Sequence, residues 1–297
     1  YDPAIYEQDA FYPQQVVEVS APYQLGDQWG QDIIFNPYQY NPVSTQLRIS
    51  QLIDLDVHWV GGKSQRDDVV QAATDVMDAV YANHFANYTQ RDDVEQGKML
   101  VVIADGFYEN STTIAAISAF VSWKNEKGIE THYVKYSDVA QDADGLRDYI
   151  NQQYTSDGLD YVLLMGSHYN SAGSLAFYIP SIIRNGAASD TSYGYLSGTD
   201  SYPEVSVGRF SAVDAQSLMT QIQRSLEYER NPTVSSIEWY TQALGIASNQ
   251  GPGFASLADD QFHEEVLSPI LLANTFDQVA SVYDPSGTDA AAIDVIN

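Results

Sequence analysis

KMLVVIADGFYENSTTIAAISAFVSWKNEKGIETHYVKYSDVAQDADGLRDYINQQYTSDGLDYVLLM, residues 98–165, decides the fold. Lys98 to Ala104 is a short, almost uninterrupted apolar run, as expected of a strand buried on both faces of a parallel sheet. Ile114 to Lys127 places Ile117, Phe120, Val121 and Lys124 on neighbouring turns, and Gly128 stands where such a helix would stop. Ile129 to Tyr136 predicts a second strand, Leu146 to Tyr154 a second helix and Tyr161 to Met165 a third strand. Strands alternating with helices imply an α/β domain with right-handed crossovers. The loop after Gly166 is therefore expected at a carboxyl end of the sheet, where α/β proteins place ligands. His168 sits in that loop and, having no evident partner, reads as a structural or hydrogen-bonding histidine.

C-terminal to this core, Ser189 to Pro232 reads SDTSYGYLSGTDSYPEVSVGRFSAVDAQSLMTQIQRSLEYERNP. A polar loop punctuated by Gly194 and Gly198 leads into a strand at Glu204 to Phe210 and an amphipathic helix at Val213 to Glu229. Asp200 and Glu204 stand four apart with Tyr202 between them, and the glycines permit turns that aim carbonyls inward. Carboxylates alternating with carbonyls suit a hard cation such as calcium; the alternative is a hydrogen-bonded acidic turn. Further on, Ala243 to Ser248 predicts a strand, Asp260 to Leu272 a helix and Gln278 to Tyr283 a strand. The last residues enter an apparent helix at Asn297, so more of the α/β unit is expected to follow. His263, in QFHEEV, lacks the second histidine of a zinc-binding H-E-x-x-H.

N-terminal to the core, residues 1 to 45 are rich in Tyr, Pro and Gln, with strand-like pieces at Gln15 to Ser20 and Asp32 to Asn36. Alternation from Leu47 to Trp59 predicts a half-buried strand, joined by the Asn41-Pro42 turn to the segment before it. His58 falls on the polar face of that strand. Gly61-Gly62-Lys63-Ser64 lacks the first glycine of a phosphate-binding loop, because Val57 occupies its place. Arg66 to Phe85 predicts an amphipathic helix with Asp67 and Asp68 favourably placed in its first turn.

Composition narrows the function. Thirteen basic residues against 40 acidic ones give a formal charge of −27, a field that repels nucleic acid and anionic membranes and attracts cations. With no cysteine in 297 residues there is neither a disulfide framework nor a thiolate within the chain. No apolar run reaches the length of a membrane span. A self-contained serine hydrolase is disfavoured, since no G-x-S-x-G elbow occurs.

The run SDxxYGxLxGxDxYPEVxxGRFS, the helix ending in YERNP, and then VSWKNEKGIET from Val121, YVLLMGSH from Tyr161, ALGIASNQGPG from Ala243 and VYDPSGT from Val282 resemble the gingipain-type cysteine peptidases, peptidase family C25. PYQYNPVSTQLRI is similar to the propeptide region of the same family. The resemblance implies a caspase-hemoglobinase-like parallel sheet flanked by helices, with residues 1–87 a β-rich propeptide-like segment plus linker helix and residues 88–297 a catalytic domain incomplete at its C-terminus. It implies a secreted, extracellular or cell-surface endopeptidase acting on protein or peptide substrates. The Cys/His dyad is expected in a catalytic portion beyond Asn297, and the 297 residues alone are expected to be inactive. The competing expectation is a non-catalytic surface, adhesive or filament-forming protein on the same frame.

For the metal, the resemblance implies Ca2+ held by the backbone oxygens of Ser197 and Tyr202 and the side chains of Asp200 and Glu204. Ser167 stands where the family has an aspartate, which removes one carboxylate. The acidic residue assisting the family's histidine would fall near Ser248-Asn249-Gln250, and Gln250 stands there. The mature family enzyme begins at a position matching Tyr88; Asn87 precedes it rather than a basic residue.

Overall fold

The structure is a computed structural model and describes residues 2–26, 28–58, 74–90, 96–169, 175–198, 200–232, 238–251 and 256–283. The chain divides into two compact units, Tyr1–Leu226 and Glu227–Asn297.

The first unit begins with a helical turn, α1 (Pro3–Tyr6), and three antiparallel strand pairs. These join β1 (Val17–Val19) to β4 (Ile33–Phe35), β2 (Tyr23–Leu25) to β3 (Gln28–Gly30), and β5 (Tyr38–Asn41) to β6 (Gln46–Ile49). The β5–β6 turn is the one expected at Asn41-Pro42: the Asn41 side chain accepts from the Val43 and Ser44 N–H groups and fixes the reversal. The strand expected to continue to Trp59 stops at Ile49. Its partner β5 is four residues long; beyond the paired residues Ser50 N–H still reaches the Pro37 carbonyl at 2.8 Å, and Leu47 and Ile49 are exposed. Trp59 and the Gly61–Ser64 turn lie outside the described residues. His58 is exposed beside Asp56, as expected of a solvated histidine, although no strand forms at 51–58 to give it a polar face. Helix α2 (Asp75–His84) covers the later part of the span expected from Arg66, whose residues before Thr74 lie outside the described residues. It begins after Thr74, whose hydroxyl accepts from Met77 N–H and caps its first turn.

The α/β part contains β7 (Lys98–Ile103), α3 (Asp105–Tyr108), α4 (Ser111–Glu126), β8 (Glu130–Lys135), α5 (Tyr136–Val139), α6 (Ala143–Asp157) and β9 (Tyr161–Met165). A small hairpin follows, β10 (Ile182–Arg184) with β11 (Ala187–Ser189), then β12 (Ser206–Phe210) and α7 (Ala215–Arg230). The four long strands form a fully parallel sheet in the order β12-β9-β7-β8. Leu100 to Ala104 have no solvent exposure, which accounts for their unbroken apolar run. The helices cover the sheet with residues one turn apart: Ile117 and Phe120, then Leu146, Ile150 and Tyr154, then Leu218 and Ile222. Helix α4 starts three residues earlier than its apolar period indicates. Asn110 caps it, its side chain accepting from the Thr112 and Thr113 N–H groups. Gly128 takes a φ of +91° just beyond the helix end, the left-handed stop predicted for it.

The second unit pairs β13 (Gln242–Ala247) with β14 (Gln278–Tyr283) in parallel. The intervening helix runs as α8 (Asp259–Phe262), a π turn (His263–Leu267) and α9 (Ser268–Ala273). His263 lies over Gly245, where a Cβ would come within 1.9 Å of the ring. Its Nδ1 is 2.7 Å from the Tyr283 hydroxyl and 3.2 Å from that of Ser268. The histidine is thus a packing residue between helix and strands. Among the described residues no helix is long and apolar enough to cross a membrane.

Candidate functional site

The acidic loop enters β12 at its amino end, because Ser206 pairs with Tyr161 at the start of β9. It therefore sits opposite the carboxyl ends, where α/β sheets bind substrates, a position suited to stabilising the fold. Gly194 approaches the chain so closely that a Cβ would lie 2.1 Å from the Val205 carbonyl oxygen. Its own carbonyl accepts from Glu204 N–H at 2.9 Å. Gly198 turns the chain with a φ of +67°.

Glu204 is 8% exposed, and its Oε2 accepts from the N–H groups of Leu196 and Ser197 at 2.7 and 2.9 Å. Its Oε1 is buried and accepts no hydrogen bond from the described residues. Burial pushes the carboxyl above the ordinary glutamate range; the two N–H donors oppose that shift and the negative charge of Asp200 adds to it. Asp200 accepts from Tyr202 N–H through Oδ1 at 3.0 Å and from Gln24 N–H through Oδ2 at 3.2 Å. Ser197 donates its hydroxyl to Gln24 Oε1 at 2.9 Å. Tyr202 stacks on Tyr23 with ring centroids 4.7 Å apart. The fold thus gathers Ser197, Asp200, Tyr202 and Glu204 around one turn.

These groups fit a cation in one specific respect. A buried carboxylate oxygen without a donor is costly, and a hard cation with carbonyl and carboxylate neighbours would satisfy it. Among the described residues no three His, Asp or Glu side chains converge on a metal position, so carbonyls would have to complete the shell. Ser167 is buried away from this turn. Its Oγ donates to Tyr169 O and accepts from Tyr169 N–H, and its backbone pairs with the Phe177–Ile179 segment. His168, at the carboxyl end of β9, is exposed. Gln250 is exposed as well; its carbonyl accepts from Asp259 N–H, and its N–H donates to Ser248 Oγ at 3.4 Å.

One pair at the carboxyl end of β12 went unread in the sequence. Arg209 on β12 is 6% exposed and grips both oxygens of Asp190 at 2.7 Å. Its remaining N–H groups donate to the carbonyls of Gly166, Ile179 and Pro180 at 2.9, 3.0 and 3.2 Å. This one guanidinium ties β9, β12 and the strand-to-loop segment together. The available signal was an arginine inside an otherwise apolar strand of a chain with few cations, which demands a buried partner. Burial raises the Asp190 carboxyl, but the hydrogen bonds and charge of Arg209 and the Ser181 hydroxyl outweigh it, and the net shift is below its ordinary 3.8. The folded carboxyl therefore holds its proton less tightly than the unfolded one. It stabilises the fold above the ordinary aspartate range and loses that contribution as pH falls below about 4. The stability gap between the native chain and Asp190→Asn, measured by urea unfolding, is expected to be widest near pH 6 and to close toward pH 3.

Comparison with known proteins places these features. Residues 92–293 match the model of peptidase family C25, and residues 1–95 match the family's propeptide model. Gingipain R2 of Porphyromonas gingivalis is 35% identical over 304 residues, covering 98% of this chain and 39% of the relative. Gingipain R1 is 33% identical over 302 residues, covering 98% of this chain and 29% of the relative. The chain thus spans well under half the length of the curated relatives it matches. The crystal structure of the Arg specific cysteine proteinase gingipain R superposes with a TM-score of 0.56 at 36% identity, covering 71% of this chain and 46% of that one. The complex of the pro- and mature domains of Porphyromonas gingivalis RgpB superposes with a TM-score of 0.56 at 34% identity, covering 68% and 45%. A propeptide match that runs directly into a peptidase match accounts for both the small antiparallel strand pairs and the parallel sheet: the chain belongs to peptidase family C25, the gingipain-like cysteine peptidases.

Proposed function

We propose that this chain is the propeptide and first part of the catalytic domain of a secreted gingipain-like cysteine endopeptidase. The observation that carries the reading is the unbroken succession of the two family matches across residues 1–293. The 297 residues contain no cysteine, so on this reading they do not themselves supply the thiolate nucleophile. The role of this chain is to supply the four-stranded sheet, the propeptide and part of the frame around the active site. The formal charge of −27 suits an extracellular protein exposed to salt. A product in which a cysteine-bearing catalytic portion continues this chain is expected to cleave peptide substrates and to be silenced by iodoacetamide, whereas the 297 residues alone are expected to show no thiol-dependent cleavage. A longer product with no alkylation-sensitive activity would overturn the reading in favour of a frame kept for binding or assembly.

The same reading includes calcium at the 195–204 loop, with Asp200 and Glu204 as carboxylate ligands and Ser197 and Tyr202 as carbonyl ligands. The unpartnered Oε1 of Glu204 supports it. Bound calcium would neutralise the two carboxylates and hold the loop closed. Calcium at 100 times its Kd adds about 2.7 kcal/mol to stability, which for a unit of this size raises Tm by about 5–10 °C. Calorimetry with and without EDTA is expected to show that difference, and an unchanged Tm would remove calcium from the proposal.

A further inference from the structure

We propose that Gln24, in the propeptide-matched β2–β3 hairpin, is a positioning residue for the 195–204 loop, so that seating of the propeptide and binding of a divalent cation strengthen each other. The inference rests on the calcium reading above and adds the linkage. Gln24 is 3% exposed and reaches both ends of one turn. Its backbone N–H donates to Asp200 Oδ2, and its side-chain Oε1 accepts from Ser197 Oγ. The side-chain amide has one possible orientation, because Nε2 donates to the Gly26 carbonyl at 2.7 Å and leaves Oε1 facing the Ser197 hydroxyl. The neighbouring Tyr23 stacks on Tyr202 and is itself held by its hydroxyl, 3.0 Å from Asp32 Oδ1 and 2.9 Å from His84 Nε2. Two adjacent hairpin residues therefore contact three of the four proposed ligand residues, while the fourth, Glu204, braces the turn from inside.

The sign of the linkage follows from the chemistry of these contacts. Gln24 offers Asp200 a neutral N–H dipole, not a cation, so it does not replace the charge that a metal would bring. Each carboxylate oxygen that accepts one N–H keeps a further lone pair for a metal. Propeptide and cation both require the 197–202 turn to be ordered, and whichever binds first leaves less entropy for the second to remove. Such coupling is reciprocal.

Titration calorimetry of Ca2+ into the metal-free 297-residue chain tests the proposal, alongside Gln24→Ala, Ser197→Ala and Glu204→Gln. Ser197→Ala removes the same hydrogen bond from the other side while keeping the carbonyl, and it decides the matter if Gln24→Ala does not fold. The expected result is calcium binding by the native chain, its loss in Glu204→Gln, and affinity at least fivefold weaker in Gln24→Ala and Ser197→Ala. Amide hydrogen exchange at Tyr23–Gly30 is expected to slow on adding calcium to the native chain. Native affinity in both hairpin-contact variants overturns the linkage and leaves the metal site standing. No binding by the native chain, or full binding by Glu204→Gln, overturns the metal site and the linkage with it.

Discussion

Replacing Arg209 by methionine is expected to destabilise the first unit by about 3 kcal/mol, the lower end of the loss when one partner of a buried ion pair is removed, because the Arg209 side chain is 6% exposed but that of Asp190 26%. Methionine has similar bulk but leaves the Asp190 carboxylate and the carbonyls of Gly166, Ile179 and Pro180 without their shared donor. Lysine should not rescue the loss, since a point charge cannot serve both Asp190 oxygens and three carbonyls at once. Guanidinium unfolding would show the effect as a lower midpoint with an unchanged slope. Combining Arg209→Met with Asp190→Asn is expected to recover part of the loss, because the uncompensated charge is gone. A loss below about 1 kcal/mol in the single variant, the level of an exposed pair, would mean that the guanidinium does not hold the strands together.

Gly194→Ala is expected to cost about 3 kcal/mol or more, at the upper end of overpacking penalties. The added methyl would stand 2.1 Å from the Val205 carbonyl oxygen and 3.2 Å from Pro203 Cβ. The obstacle is backbone, so relief requires moving the start of β12 or opening the turn that buries Glu204. Gly186→Ala provides the contrast. Nothing lies within 4 Å of its Cβ position, and only its φ of +81° is strained, which costs about 1–2 kcal/mol. If the two variants melt together, the close approach at Gly194 is not what shapes the loop. If Gly194→Ala alone also abolishes the calcium-dependent rise in Tm, packing and cation site depend on the same turn.

Much of the fold was legible because it is encoded locally. The apolar run at Lys98–Ile103 and the turn-spaced Leu146, Ile150 and Tyr154 carry their own burial pattern. The loop's four candidate ligands were legible from spacing and resemblance, and the structure gathers them around one turn. That Glu204 is buried with one oxygen unmet was not legible, since an acidic turn in a chain of charge −27 reads as solvated surface. The alternation after Ile49 misled because period two describes a strand only when a partner exists to pair with it. Arg209 and Asp190, 19 positions apart, and Gln24 and Asp200, 176 apart, share no periodicity that would announce their meeting.

That last separation bears on the order in which the molecule assembles. Strand β7 pairs with β8 across 32 positions, Lys98 to Glu130, and with β9 across 62, Met99 to Tyr161, so this part of the sheet forms by closing comparatively short loops. The hairpin holding Gln24 must close a loop of well over a hundred residues before it gains anything from Asp200. Its contacts are therefore expected to form after the rate-limiting barrier. Substitutions at Gln24 should then leave the refolding rate nearly unchanged and accelerate unfolding instead. The lifetime of the assembled first unit, more than the speed with which it forms, would be set where the first fifth of the chain grips the loop before β12.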